Sequence, residues 1–311
     1  MTPNTSRTRH LLSLRDLSRR ELAALLKRAR GLKAGSNRGR EFPLAGKTLG
    51  MIFRKHSTRT RVSFEVGMFH LGGHAIVLPA AETHLGRGEH SESVADTARV
   101  LSRYVDGIMI RTFDHAEPEA LARHGSVPVI NGLTDLLHPC QLLADLLTVQ
   151  EAFGAGFSGL RVAWVGDGNN VANSWIEAAS ILGFELSLAV PRGYAPDARI
   201  LQEAEATAAA VQLLEDPVGA VEGAHVVCTD TWASMGEEED LGARVRVFER
   251  FQVTEALMAQ AEPEAIFLHC LPAHRGQEVA DEVIDGPRSR VLDEAENRLH
   301  VQKALLIELL A

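Results

Sequence analysis

Cysteine is scarce in this chain of 311 residues: Cys140, Cys228 and Cys270 are the only three. An odd count without framework spacing excludes a disulfide scaffold and points to reduced thiols in a cytoplasmic protein. Long hydrophobic runs are also missing. None approaches the roughly 20 residues that span a bilayer, so no membrane segment is expected. The start, Met1 to His10, is polar and basic with no apolar h-region, so no secretory signal is expected. Aromatic residues are only 5% of the chain. No stacking platform accompanies the basic residues, which argues against nucleic-acid binding. A net charge of −9 argues the same way. Basic residues do crowd the first sixty positions, but they are interleaved with a helix and a strand and do not form a disordered arm.

Several chemical motifs are absent. His138-x-Cys140 and His269-Cys270 could donate metal ligands, but the Cys-x₂₋₄-Cys spacing of structural zinc does not occur. No Gly-x-Ser-x-Gly nucleophile elbow is present. Trp164-Val165-Gly166-Asp167-Gly168-Asn169-Asn170-Val171 resembles the start of a dinucleotide fingerprint. Its third glycine is replaced by Val171, and the next strand ends in Pro191-Arg192 where an acid is needed. Neither a dinucleotide cofactor nor a required zinc site is therefore expected. No internal repeat is visible.

What is present is a strand–helix rhythm running through both halves. Hydrophobic residues are 45% and charged residues 23%, the balance of a globular protein. Apolar runs at Thr48–Phe53, Ala75–Leu78, Gly107–Ile110 and Val127–Asn131 read as strands, and so do Leu160–Val165, Phe184–Val190, His225–Thr229 and Ala265–Leu268. Helical patterns lie between them. One follows the capping box Ser18-x-x-Glu21, with Leu22, Leu25 and Leu26 on its apolar side. Another spans Val94 to Tyr104, a third begins at Pro139, and a last one covers Leu299 to Leu310. Alternation of this kind predicts an α/β fold: two doubly wound parallel-sheet domains with a cleft between them, followed by a C-terminal helix. The expected limits are 1–150, 151–290 and 291–311, with a linker at Gly154–Gly159.

Ligands of open parallel sheets bind beyond the carboxyl ends of the strands. Arginine, histidine, glutamine, asparagine and cysteine recur there, after Phe53, Ile110, Val165, Cys228 and Leu268. The densest cluster is Lys55-His56-Ser57-Thr58-Arg59-Thr60-Arg61, on a strand-to-helix turn. The helix it opens would carry Val62, Val66 and Phe69 on one apolar stripe, with Phe64, Met68 and Leu71 beside it, and stop at Gly72-Gly73. Free N–H groups of a first helical turn, three hydroxyls and two arginines suit a phosphate. The other reading is a plain N-cap, Ser57 or Thr58, with two solvated arginines.

Five blocks together resemble the aspartate/ornithine carbamoyltransferase family. They are Ser57-Thr58-Arg59-Thr60-Arg61, His138-Pro139-Cys140-Gln141, Asp230-Thr231-Trp232-Ala233-Ser234-Met235-Gly236, His269-Cys270-Leu271-Pro272-Ala273-His274-Arg275-Gly276 and Glu296-Asn297-Arg298-Leu299-His300. The third resembles the block that marks the ornithine-specific branch. The blocks run in family order and cover nearly the whole chain.

The resemblance implies transfer of the carbamoyl group from carbamoyl phosphate to the δ-amine of L-ornithine, in a homotrimer or a multiple of trimers, with no organic cofactor, no metal, and a C-terminal helix returning to the first domain. It places the phosphate on Ser57, Thr58, Arg59, Thr60 and Arg111. It places the carbamoyl group near His138, Gln141 and Arg298, with Cys270 and Leu271 between the two substrates. Ornithine would be held by Asn170, Asp230, Ser234 and Met235. The catalytic set would be Cys270, Arg59, Arg111 and His138. In the family, the loop corresponding to Glu82–Ser93 reaches a neighbouring subunit's active site. His84 here stands where relatives generally have glutamine, and the loop is longer than usual between Gly88 and Val94. His84 would contact carbamoyl phosphate if it replaces that amide. Arg61 has no ligand assigned and would pair with an acid within the fold. The rival readings are a sister transferase acting on putrescine, aspartate or an N-acylated ornithine, and a non-catalytic protein on the same fold.

Overall fold

The computed structural model describes residues 8–35, 42–80, 92–233 and 241–311. Two compact units emerge, one of residues 1–140 and 298–311, the other of residues 141–297.

In the first unit, α1 (Arg19–Lys33) is followed by β1 (Thr48–Phe53), α2 (Thr58–His70), β2 (His74–Pro79), α3 (Val94–Leu101), β3 (Gly107–Arg111), α4 (Ala116–His124) and β4 (Val129–Leu133). All strands pair in parallel, in the order β2-β1-β3-β4. Parallel strands covered on both faces read as continuous apolar runs, and β1, Thr-Leu-Gly-Met-Ile-Phe, is such a run with its four central residues buried. Ile52, Ile108, Ile110 and Val129 pack with Ala98 and Leu121. Each large aliphatic side chain buried this way contributes about 1.5–3 kcal/mol. The Ser18 box forms as expected: the Ser18 hydroxyl accepts from Glu21 N–H, and the Glu21 carboxylate accepts from Ser18 N–H.

The expected apolar stripe of α2 is corrected. Val62 and Phe69 are exposed, at 50% and 76%, while Thr60, Phe64, Gly67 and Met68 are buried. The buried stripe faces a distant piece of chain: Gly67 packs on Leu299, Lys303 and Leu306. Those residues belong to the C-terminal helix α12, introduced below, whose return to the first unit is thus observed. Its last turn reaches β3, where a Cβ on Gly107 would come within 2.7 Å of the Leu310 side chain.

In chain order, α5 (Pro139–Phe153) leads to β5 (Arg161–Val165), α6 (Asn170–Leu182), β6 (Glu185–Ala189), α7 (Ala198–Ala206), β7 (Val211–Leu214), α8 (Pro217–Val221), β8 (Val226–Thr229), α9 (Leu241–Phe248), α10 (Glu255–Met258), β9 (Ile266–His269), α11 (Asp281–Ile284) and α12 (Val291–Leu310). The second sheet is also parallel, ordered β7-β6-β5-β8-β9. Its core gathers Ala163, Val165, Val227 and Phe267 with Phe251, Met258 and Val279. Strand β7 is not among the sequence expectations. The C-terminal helix begins at Val291, earlier than Leu299, because its first turns are polar. Pro139 opens α5 as anticipated. The division between units falls inside α5, after Cys140, and inside α12, after Asn297.

In each sheet the chain starts at an inner strand, builds outward on one side, and then crosses to the other. The switch points lie between β1 and β3 and between β5 and β8. These are the places where open sheets hold ligands.

Candidate active site

The first switch point is built by the turn after β1 and the end of β3. Phe53 and Arg111 are register partners, and Arg54 N–H donates to the Arg111 carbonyl at 2.9 Å. Ser57 is the N-cap of α2. Its Oγ accepts from Thr60 N–H at 3.2 Å and donates to Thr60 Oγ1 at 3.1 Å. The N-cap reading of this turn is therefore correct as geometry, and it leaves the first-turn N–H groups of α2 at a sheet switch point. Arg298, carried by α12, donates through Nη2 to Thr60 Oγ1 at 2.9 Å. Arg61 pairs with Glu65 at 3.2 Å on the surface, away from these groups.

His138, just before α5, is buried and kept neutral. Its pKa is driven well below the ordinary value, first by burial and then by the positive charges of Arg298, Arg111 and Arg59. Three guanidiniums from three separate elements thus act on one imidazole. Such a concentration of cationic groups suits an anion. A neutral imidazole among them can still donate one hydrogen bond without adding charge. Cys140 is inert here: burial pushes its thiol up to about 12, against a smaller opposing pull from Arg298. Lys55, buried, bonds Asp135 at 2.5 Å and lies 4.3 Å from the Phe113 ring centroid. It braces the turn against the segment that leads to His138.

The second switch point gathers the ends of β5, β8 and β9. Gly168 makes the turn after β5 possible, since a Cβ there would meet the backbone of Ala195 and Pro196 at about 2.5 Å. Asn169 caps α6 through Oδ1, accepting from Val171 and Ala172 N–H, and donates through Nδ2 to Asp230 Oδ2 at 2.8 Å. Asp230 Oδ1 accepts from Thr231 N–H at 2.8 Å and from the Cys270 thiol at 3.0 Å. Burial first, then the Asp230 charge, holds the Cys270 pKa well above its ordinary value. Cys270 is a thiol donor here and not a thiolate. Asn170 is nearly buried at the start of α6.

Gln141 lies in the first turn of α5. Its Nε2 donates to Asp145 Oδ1 at 2.8 Å and to Glu294 Oε1 at 2.6 Å. Both amide protons are thus directed to acids, and its carbonyl oxygen is the atom it can present as an acceptor. Glu294 Oε2 also accepts the main-chain N–H of His269 at 2.9 Å. Arg244, on α9, ties the β5 turn to the chain beyond β8. It donates to Asp167 at 3.2 Å and to the Trp232 carbonyl at 2.6 Å.

Asp230, His269 and Cys270 place one potential metal-ligand atom each within 4.8 Å of one another. The donor set is poorly suited to a cation. His269 Nδ1 accepts from Leu271 N–H and Nε2 faces Glu278, so neither ring nitrogen has a lone pair to offer.

The structure brings Ser57, Thr60 and Arg298 into bonded contact, and gathers Arg59, Arg111, His138 and Arg298 electrostatically. It does the same for Asp230 with Cys270. Thr58 is exposed in the first turn of α2. His84, Ser234 and Met235 fall outside the described residues. Asp145, Glu294 and Arg244 are absent from the sequence reading, and Lys55 and Asn169 stand there inside motifs without the bracing roles seen here. Each is a residue that holds another residue, a role with no local signature.

Two family models cover almost all of the chain. Residues 9–151 match the carbamoyl-P binding domain of aspartate/ornithine carbamoyltransferase, and residues 158–309 match its Asp/Orn binding domain. An ornithine carbamoyltransferase of Syntrophus aciditrophicus is 55% identical over 298 residues, covering 95% of this chain and 97% of the relative. Among solved structures, ornithine carbamoyltransferase from Pyrococcus furiosus superposes with a TM-score of 0.91 at 51% identity, covering 97% of each chain. That from Thermus thermophilus gives 0.88 at 47% identity, covering 97% of this chain and 99% of its own. With two parallel sheets whose polar residues collect at the switch points, and with these matches over nearly its full length, the chain belongs to the aspartate/ornithine carbamoyltransferase family.

Proposed function

We propose that the chain transfers the carbamoyl group of carbamoyl phosphate to the δ-amine of L-ornithine, releasing L-citrulline and phosphate. The observation that carries this reading is the convergence of Arg59, Arg111 and Arg298 on the neutral, buried His138. Carbamoyl phosphate has an anionic phosphate beside a carbonyl that gains negative charge on attack, and cationic groups fixed in advance stabilise both. Ornithine as acceptor is supported by relatives of that name at about 55% identity over nearly the whole chain.

In this reading residues 1–150 carry carbamoyl phosphate, 151–290 carry ornithine, and 291–311 serve the first site through Arg298. Ser57, Thr58, Arg59, Thr60 and Arg111 take the phosphate. His138 and Arg298 donate to the carbonyl oxygen, and the Gln141 carbonyl accepts from the carbamoyl NH₂. Asp230, held by Asn169, takes an ammonium group of ornithine, with Asn170, Ser234 and Met235 completing the contact. Leu271 lies beside Cys270 between the substrates. The δ-ammonium first loses a proton. The free amine then attacks the carbonyl carbon and a C–N bond forms; the bond from that carbon to the bridging oxygen breaks, and phosphate leaves with that electron pair and takes up the proton that the attacking nitrogen loses. Cys270 orients and does not attack, because its proton is retained by burial and by Asp230.

A trimer is part of the proposal. Val62 and Phe69 on α2 and Ile76 on the edge strand β2 are exposed apolar residues of the first unit, as a subunit contact requires. His84 would then serve a neighbouring site. No helix among the described residues is long and apolar enough to cross a membrane. We place the protein in the cytoplasm on its three free thiols.

The test is product formation from carbamoyl phosphate with ornithine, putrescine, aspartate and acetylornithine in parallel. Citrulline formation should dominate. A faster reaction with any of the other three amines would reassign the acceptor. Exchange of labelled phosphate into carbamoyl phosphate without ornithine would replace direct transfer by a carbamoyl-enzyme.

A further inference from the structure

We infer that Asp145 and Glu294 are positioning residues that fix the amide of Gln141, leaving its carbonyl to meet an N–H on the group being transferred, and so select a carbamoyl over an acyl phosphate donor. The inference rests on the transfer reaction proposed above, and all three residues lie within the second compact unit. Gln141 and Glu294 are 1% exposed and Asp145 is 2% exposed. An amide so enclosed cannot turn toward water, and its neighbours decide which end faces which way. Its Nε2 donates to Asp145 Oδ1 at 2.8 Å and to Glu294 Oε1 at 2.6 Å. An ionised carboxylate accepts hydrogen bonds and donates none. Turning the amide over would set the Gln141 carbonyl against both acids, so a single orientation is enforced.

The two acids are held in their turn. Asp145 sits one helical turn beyond Gln141 on α5, the spacing at which side chains meet. Glu294 reaches the amide from α12, and its Oε2 accepts the main-chain N–H of His269 at 2.9 Å. Two N–H donors thus stabilise the Glu294 charge. Farther along the same two helices, Asn297 donates to Thr148 Oγ1 at 2.9 Å and to Glu151 Oε2 at 2.7 Å. These bonds set the register of α12 on α5 and hence the reach of Glu294. After burial, both acids also help hold the Cys228 thiol protonated, which places their charges near the end of β8. Neither acid touches substrate in the proposed reaction; each acts through Gln141. The consequence is chemical selection. A carbamoyl NH₂ satisfies the Gln141 carbonyl. The methyl of an acetyl phosphate fills the same space and leaves that carbonyl without the bond, a mismatch that a buried polar site rejects strongly.

Two phosphonates of equal charge and nearly equal shape read this selection directly. Phosphonoacetamide presents an NH₂ where 2-oxopropylphosphonate presents a methyl group. Neither turns over, because a CH₂ replaces the bridging oxygen. Calorimetric titration of the parent should show the amide bound at least about tenfold more tightly. Glu294→Gln can donate to the Gln141 carbonyl and so permits the turned amide; there the preference should fall by about tenfold. The equal charge of the two probes cancels the loss of the carboxylate's field. Gln141→Ala should lose the preference as well. Thr148→Val, which removes the Asn297 contact and leaves both acids in place, should lower the thermal midpoint and keep the preference. A preference unchanged in Glu294→Gln, or one that falls as far in Thr148→Val, overturns the inference. Should Glu294→Gln fail to fold, Asp145→Asn decides by the same criterion. A preference lost in Gln141→Ala and kept in Glu294→Gln removes only the acid pair and leaves the Gln141 assignment standing. A parent without the preference, or a preference that survives Gln141→Ala, overturns the inference together with that assignment. A parent that binds neither phosphonate sinks the donor site itself.

Discussion

The Cys270 thiol donates to Asp230 Oδ1 across 3.0 Å. The same Asp230 oxygen accepts from Thr231 N–H, and its other oxygen from Asn169. Cys270 is one of three restraints on a carboxylate and acts as a donor. Cys270→Ser keeps a donor and should retain most of the activity. Cys270→Ala removes it and should cost about 10–100-fold in kcat/KM for ornithine, the worth of a hydrogen bond to a charged group. Steady-state kinetics of the two variants check this; equal losses would mean the sulfur itself is required. Alkylation of Cys270 near neutral pH should also be slow, since its thiol titrates well above the ordinary range.

Arg59 and Arg61 stand two residues apart but have different surroundings. Arg59 acts on His138, while Arg61 pairs with exposed Glu65. Replacing Arg59 by alanine should cost about 10²–10³ in rate, as removal of an oxyanion-stabilising donor does. The Arg61→Ala loss should be smaller by at least about tenfold, because an exposed pair contributes under ~1 kcal/mol. Paired rate and carbamoyl phosphate affinity measurements decide. An Arg59→Ala protein with both unchanged removes the phosphate assignment.

Burial and three neighbouring arginines depress the His138 pKa, so the folded protein holds this imidazole neutral. The unfolded chain takes up a proton near pH 6.5. Below that value the unfolded state binds the extra proton and is favoured. The contribution of His138 is complete above pH 6.5 and is lost as pH falls toward its folded value. The slope is about 1.4 kcal/mol per pH unit. Urea unfolding of the parent and of His138→Gln at pH 5, 6 and 7.5 should show the parent losing more stability on acidification. Parallel curves would mean that His138 titrates normally.

Both sheets are legible in the sequence because parallel strands buried on two faces are unbroken apolar runs, as in Leu49–Phe53 and Val162–Val165. Strand β7 is not, since Val211–Leu214 is an edge strand with two exposed residues and no such run. The buried face of α2 is misread for a different reason. Thr60 and Gly67 are inside because Arg298 and Lys303, more than two hundred residues away, cover them. Helical periodicity cannot name a distant partner. Arg59, Arg111, His138 and Asp230 are legible because strand ends and helix starts are marked locally. Asp145, Glu294 and Glu278 are not, because a buried acid that orients another side chain looks in sequence like any solvated acid.

Lys55 and Asp135 form an unequal pair, and the inequality makes a prediction. The Lys55 side chain is 5% exposed and that of Asp135 is 57% exposed, with 2.5 Å between them. Removing the acid strands an ammonium away from water, with only the Phe113 face beside it. Breaking a buried pair in that way costs about 3–5 kcal/mol. Removing the amine leaves a carboxylate that water can reach, which should cost under ~1 kcal/mol beyond the lost packing. Methionine at 55 would retain much of that packing. Asp135→Asn should therefore destabilise more than Lys55→Met, and the double variant should recover most of the Asp135→Asn loss. Denaturant midpoints of the three variants give the coupling energy directly. If Lys55→Met were the more damaging of the two, the ammonium would have to be needed for its own sake, as a charge facing the phosphate turn and not as a brace between Asp135 and the chain that leads to His138.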